Sequence, residues 1–320
     1  MTAEEQHNPL RLGISECLLG RAVRHDGGHK HDRFLTDTLG EWVEWVPTCP
    51  EVEIGLGTPR PAMRLVASGV GSRLIVRKTG EDLTGRMTSW ADQKLDGFGG
   101  LEGFVLKKDS PSCGMERVRL YPEGEGSPTR QGRGIFAAAL LERYPLLPVE
   151  EEGRLNDPVL RENFIERIFA YRRWRRFVSG DPAPKDLQGF HAASKMALMA
   201  HHPEKYRELG RLVAGARKTG FSRTLDRYGE GYMDVLRHRA TRRRNTNVLQ
   251  HLMGHLKRDL EDGDRSELGG LIEEYRRGRL PLIVPITLLR HHFRRHGTEW
   301  VLSQTYLNPY PDELMLRNHV

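Results

Sequence analysis

The first 150 residues alternate short apolar runs with turn-forming residues, whereas the rest of the chain changes to helical spacing. Apolar runs at 12–14, 42–46, 74–76 and 103–106 are each followed by Gly- or Pro-containing turns, the pattern of short buried strands. Helical spacing falls between them at 35–45 and 87–95. Strands alternating with helices predict a parallel, Rossmann-like sheet, whose ligands bind beyond the carboxyl ends of the strands. Farther on, Asn156 or Asp157 can cap a helix that has Pro158 at its first position. Val159, Leu160, Phe164, Ile165, Ile168 and Phe169 then recur at spacings of three and four, and Trp174 and Phe177 extend the stripe. Further helices are predicted over 187–200, 203–217, 246–260, 265–275 and 287–295. The expected fold is an α/β domain over residues 1–153 followed by an all-α domain over 154–320. The stretch 146–158, with Pro148 and three consecutive glutamates, reads as their connection.

A length of 320 residues is consistent with two domains. The charge is shared unevenly: 19 basic against 21 acidic residues through residue 150, a net −2, and 31 against 22 beyond it, a net +9. Basic domains suit polyanions, because neutralised phosphates release counterions; a solvated helical surface gives the same count. No apolar run reaches the roughly 18 residues of a membrane span. The first seven residues show no secretory leader. These features lead us to expect a cytoplasmic protein without a membrane association.

Three cysteines stand in turn-rich contexts, Cys17 in Ser-Glu-Cys-Leu-Leu-Gly, Cys49 in Thr-Cys-Pro-Glu and Cys113 in Ser-Pro-Ser-Cys-Gly. An odd count closes no disulfide framework, and a reducing compartment favours metal binding or catalysis. The separations of 32 and 64 residues are unlike ferredoxin spacing. Three loops that converge could hold three irons of a cubane and leave the fourth open. Zinc with a histidine from His25, His29 or His31 is a second reading, and three inert buried thiols a third. Glu51, two residues beyond Cys49, could activate water, and the hydroxyls beside Cys113 could relay a proton. Gly27-Gly28 is a turn signal without the GxGxxG pattern of a dinucleotide site.

The motifs Cys17-Leu-Leu-Gly, Cys49-Pro-Glu with Gly57-Thr-Pro-Arg60, and Leu106-Lys-Lys-Asp-Ser-Pro-Ser-Cys-Gly114 occur in that order. Together they resemble the thiouracil desulfidase (TudS) family over about residues 10–150. The resemblance implies a [4Fe-4S] cluster held by Cys17, Cys49 and Cys113, with Glu51 and Ser110 as catalytic carboxylate and hydroxyl. Glu53 stands where a neutral residue is expected and is a rival for the water-activating role. The second half resembles a helical family formerly of unknown function, through Phe190-His191, Lys195 to His201, Asn247 to Gly254, Pro281 to Ile286 and Gln304 to Pro311. The fused pair is similar to bacterial desulfidases acting on 4-thiouridine in transfer RNA. That similarity implies a hydrolytic enzyme that converts 4-thiouridine to uridine and releases sulfide, with tRNA as partner and no obligate protein partner.

On that reading the helical half contacts phosphate. The candidates are Arg172, Arg173, Arg175 and Arg176 in one run and Arg242, Arg243 and Arg244 in another. Trp174 could stack on a base, but its place in an apolar stripe favours the core. His191, His201 and His251 read as core or hydrogen-bonding residues. Arg60 and Lys107 are possible substrate-orienting cations near the cysteines; a turn-stabilising arginine after Thr58-Pro59 and a strand-edge lysine are the favoured alternative. Two alternatives stand beside this reading: a desulfidase of free thiouracil or another small thio-base, and a metal-containing nucleic-acid sensor without activity.

Overall fold

Residues 9–69, 71–216, 220–296 and 299–320 are described by the computed structural model of the chain. The N-terminal seven residues, where a leader would begin, and the expected helix end at Arg217 lie outside these. The chain divides into two units, with the boundary between Asn156 and Asp157.

The first unit carries strands β1 (Leu10–Ser15), β2 (Val43–Thr48), β3 (Met63–Ser68), β4 (Gly71–Val76), β5 (Gly103–Leu106), β6 (Val118–Tyr121), β7 (Thr129–Gly132) and β8 (Val149–Glu151). Its helices are α1 (Pro50–Glu53), α2 (Thr84–Leu95) and α3 (Ile135–Arg143). β2, β1, β5 and β8 form a parallel sheet in that order, as the strand–helix alternation predicts. Leu12, Ile14, Phe104, Val105 and Leu106 are fully buried, which is why these strands read as continuous apolar runs. A Cβ on Gly13 would lie 2.2 Å from the Phe104 ring. The glycine thus lets that ring lie across β1 and meet Phe98 and Phe136, at centroid distances of 5.8 and 5.7 Å.

A second sheet, β4-β3-β6-β7, was not foreseen. β3 pairs antiparallel with β4 and parallel with β6. Its strands (MRLVAS, GSRLIV, VRLY, TRQG) alternate arginine and serine with apolar residues, so only the 74–76 run stands out in a hydropathy scan. The helix expected over 35–45 is corrected. A π turn (Phe34–Thr38) and a 3-10 turn (Leu39–Trp42) lead directly into β2, where Val43 and Val46 suit an extended backbone. The stretch 146–158 is not a bare connection either: it supplies β8, the last parallel strand.

The second unit is helical, with α4 (Pro158–Ser179), α5 (Pro184–His201), α6 (Pro203–Ala214), α7 (Phe221–Arg237), α8 (Arg242–His255), α9 (Asp262–Arg276) and α10 (Ile283–His296). Asp157 Oδ1 accepts the Val159 and Leu160 N–H groups at 2.8 and 3.2 Å, so the cap foreseen at 156–157 is Asp157. α7 was missed because the first turns of its buried face are built from Thr224, Tyr228, Gly229 and Tyr232, residues of low hydropathy, and its apolar residues Met233, Val235 and Leu236 gather only in the last turns. A Cβ on Gly229 would lie 2.6 Å from Trp174 Nε1, so this glycine lets α7 pass close to α4. Trp174 is buried against Phe177, Phe190, Tyr228 and Tyr232, which makes it a core residue. Among the described residues no helix is long and apolar enough to cross a membrane.

His191 gives this unit a testable pH response. Burial pulls its imidazole from 6.5 down to about 4, and Nδ1 lies 3.0 Å from Tyr228 Oη. A base with a depressed folded value contributes stability above its unfolded value, and that contribution is lost as pH falls from 6.5 toward 4. His201 has the opposite sign: burial lowers it, but the Glu166 carboxylate outweighs burial and raises it. His201 stabilisation is therefore full at low pH and fades as pH rises through its folded value. Comparison with His191→Leu isolates the first effect. The variant is expected to lose up to about 3 kcal/mol less than the parent between pH 7 and 4 in thermal or urea unfolding. Equal losses would contradict it.

Candidate active site

The three cysteines follow the carboxyl ends of β1, β2 and β5, three neighbouring parallel strands. Cys17 sits in the 3-10 turn (Glu16–Leu19) that leaves β1, closed by Gly20 at φ 87°. Its carbonyl accepts the Lys30 N–H at 2.9 Å. Cys49 is the residue before α1, whose Pro50 opens the helix. Cys113 lies in the loop after β5. That loop is held from below by α3, where Ile135 N–H donates to Pro111 O and Ala137 N–H to Ser112 O, both at 3.2 Å. All three cysteines are buried and line one cavity of about 260 Å³.

Close packing fixes the Cys113 loop. A Cβ on Gly134 would lie 2.4 Å from Ser112 O and 2.9 Å from Cys113 N. These are backbone atoms that cannot rotate away. Gly134→Ala is expected to cost about 1–3 kcal/mol and to lower iron uptake. Gly99→Ala, which adds a methyl to open space, serves as control. Thermal unfolding and iron content of both variants check this, and equal behaviour would contradict it.

A chain of polar groups crosses the same cavity. Arg60 Nε and Nη2 donate to Glu51 Oε2 at 2.8 and 2.6 Å. Ser112 Oγ donates to Glu51 Oε1 at 2.7 Å. Ser110 Oγ stands 3.0 Å from Ser112 Oγ and accepts N–H groups from Cys113 and Ser112, at 3.0 and 3.3 Å. With Ser112 donating to the carboxylate, Ser110 donates to Ser112. The result is an ordered hydroxyl wire ending on Glu51. Ser112, 1% exposed, is the member that sequence reasoning did not single out. Its signal was only its place as the second hydroxyl of Ser-Pro-Ser.

Glu53 is held apart from the cavity that Glu51 lines. Its Oε2 accepts from Lys94 Nζ at 2.8 Å and its Oε1 from Cys49 N–H at 3.3 Å, and it is absent from the cavity lining. Arg60 lines the cavity but holds Glu51. Lys107 Nζ donates to Glu152 and to Lys108 O, at 2.8 Å for the latter. The Glu150–Glu152 run, expected as a linker, therefore carries part of the site: Glu151 Oε1 also accepts Met115 N–H at 2.8 Å.

Burial, outweighing Lys107, pushes the Cys17 thiol up to about 11. Burial also raises Cys49 and, more strongly, Cys113, with the Ser15 hydroxyl bonded to the latter. Thiols raised in this way are poor nucleophiles at neutral pH, whereas a bound metal centre deprotonates them outright. Among the described residues no three His, Cys, Asp or Glu side chains gather as ligands of a single ion. A single zinc draws its thiolates to about 2.3 Å, while a cubane distributes them over separate irons. Of the histidines considered as a fourth zinc ligand, His25 lines the cavity but His29 and His31 do not; His31 Nε2 lies 2.9 Å from Thr36 Oγ1. Soft donors spread around a cavity fit an iron–sulfur cluster.

The arginines proposed from sequence are placed differently from one another. Arg172 is 5% exposed and Arg173 donates to Pro309 O at 2.8 Å, so the 172–176 run is not a continuous surface face. A helix turns successive residues to different sides. Arg175 lies over the Tyr171 ring and Arg176 is exposed. Arg242 and Arg243 are exposed, while Arg244 donates to His201 O at 2.7 Å. His191 and His201 are buried, and His251, expected as a core or hydrogen-bonding residue, is exposed.

Comparison with known proteins agrees with the two-part reading. Residues 12–152 match the 2-thiouracil desulfurase family and residues 195–311 match a protein family of unknown function, DUF1722. The uncharacterized protein YbgA of Escherichia coli (strain K12) is 31% identical over 161 residues, covering 49% of this chain and 94% of YbgA. A solved structure of a [4Fe-4S]-dependent thiouracil desulfidase, TudS, is 33% identical over 46% of this chain and 94% of that one, with a TM-score of 0.38. The chain thus joins a domain of the 2-thiouracil desulfurase family, residues 12–152, to a DUF1722 domain, residues 195–311, and belongs to the proteins that carry these two families in one chain.

Proposed function

We propose that this protein hydrolyses the thiocarbonyl of 4-thiouridine in transfer RNA, with water and the thio-base giving uridine and sulfide. The observation that carries this reading is the joining, in one cavity, of Cys17, Cys49 and Cys113 with the Arg60–Glu51–Ser112–Ser110 chain. The three thiolates would hold a [4Fe-4S] cluster, which when bound would supply a soft acceptor for the substrate sulfur. The protein's own groups handle water and protons. Glu51 accepts the proton of the water that attacks C4, and Arg60 holds the carboxylate in place through two N–H donors. Once the Ser112 and Ser110 hydroxyls rotate so that Ser112 accepts from the protonated Glu51 and donates to Ser110, the proton passes back through Ser110, which lines the cavity, to the departing sulfur or the ring nitrogen.

The basic helical unit supports RNA as the carrier of the base. Its exposed Arg176, Arg242 and Arg243 are the proposed phosphate contacts of that unit. A base inside folded RNA must leave its stack to enter the cavity. Free 4-thiouracil, 4-thiouridine and thiolated tRNA, assayed side by side on anaerobically reconstituted protein, test the assignment. Expected is turnover of tRNA at the highest kcat/KM, with a steep salt dependence confined to RNA. Free base processed as efficiently as tRNA, with the same shallow salt response, would overturn the RNA assignment and leave a small-molecule desulfidase.

A further inference from the structure

A second cavity of about 410 Å³ adjoins the cysteine cavity and shares His25, Glu51, Asp109 and Pro111 with it. Its remaining wall is the face of the second sheet that presents Arg64, Arg77, Arg119 and Tyr121. In the parallel β3–β6 pair Leu65 faces Leu120, so Arg64 and Arg119 occupy adjacent places one step earlier. Arg77 N–H donates to Ala62 O, which sets Arg77 beside β3 two residues from Arg64. Three guanidinium groups therefore share one face of three neighbouring strands. Like charges across strands oppose each other, and no carboxylate pairs with these three among the described residues. Arg64 packs over the Tyr121 ring at 5.1 Å, and its Nε is buried without a hydrogen-bond partner. The acids of the cavity are already engaged, Glu51 by Arg60 and Ser112, and Asp109 by Arg130 at 3.2 Å.

We infer that this arginine face binds the phosphate of the nucleotide whose base enters the cysteine cavity. The inference rests on the desulfidase reading for the identity of the base, and it assigns recognition of the sugar-phosphate to the first unit itself. Guanidinium forks suit phosphate oxygens, and Tyr121 offers an aromatic face beside them. A free base reaches only the cysteine cavity; a nucleotide, alone or within RNA, spans both.

Equilibrium binding of uridine 5′-monophosphate and of uridine to the anaerobically reconstituted full chain tests this without turnover, so its outcome is separate from that of the desulfurisation assay. The monophosphate is expected to bind at least about tenfold more tightly. That ratio should fall toward one in Arg77→Gln/Arg119→Gln, both exposed positions, and fall in Arg64→Gln as a second variant. A short oligouridylate exceeding the monophosphate, with the excess lost in the same variants, identifies the polynucleotide backbone as the source of phosphate; equality identifies the mononucleotide. A monophosphate that binds no more tightly than uridine, or a ratio that survives in both variants, would overturn the inference.

Discussion

Glu51→Gln protein, reconstituted without oxygen, is expected to retain its iron and lose desulfurisation by a factor of about 10²–10⁴, the usual weight of a general base. The substitution preserves shape and leaves one oxygen for the two Arg60 donors that now reach Oε2. It replaces the acceptor of the Ser112 hydroxyl by an amide that cannot take a proton from water. Single-turnover rates at matched iron content measure the effect on chemistry alone. Glu53→Gln is the informative companion: that carboxylate serves Lys94 and the Cys49 N–H outside the cavity. Its loss should change the single-turnover rate by less than about tenfold, with any effect arising through the Cys49 turn. If Glu53→Gln proved the deeper lesion at full iron content, the water-activating role would pass to Glu53.

Cys113→Ala should remove the cluster and the activity together. The thiol is buried beneath Ser15 and Ser112, and the loop that carries it is fixed by α3 N–H groups, so no other side chain can move into its place. The change deletes one sulfur from a buried position, and the thermal midpoint of the apoprotein is expected to fall by only a few degrees. Visible absorption, iron content and turnover should all drop to background. Ser112→Ala gives the contrast, with the cluster retained and the rate reduced, because the hydroxyl wire is cut while every thiol remains. Iron and turnover at parental levels in Cys113→Ala would remove this cysteine from the ligand set.

Much of this site was legible because its residues lie next to chain punctuation. Cys17 precedes Gly20, Cys49 precedes Pro50, and Cys113 lies between Pro111 and Gly114. Such turns end strands, and in a parallel sheet those ends share one edge. Glu51 was legible from its two-residue distance to Cys49, and helix α1 turns it into the cavity. Ser112 was not, since choosing between two hydroxyls in Ser-Pro-Ser depends on which one the backbone of Ser110–Cys113 leaves free to reach Glu51. Arg60 was visible as a cation but not as the partner of Glu51, a contact made across the loop that contains Gly57 and Thr58. The second sheet escaped because arginines occupy the face its strands turn toward the second cavity. In the helical unit, charge counting could not separate Arg172 and Arg173 from Arg176; only the packing of α4 shows which arginines turn inward.

The claim on which the account stands is that three thiols hold an iron–sulfur cluster with one open iron. Iron and acid-labile sulfide, measured per chain on protein isolated and reconstituted anaerobically, test it most directly. The account predicts brown protein with about four of each, bleached by air as the open iron is lost. Colourless protein carrying about one zinc per chain, with turnover of 4-thiouridine intact, would contradict it.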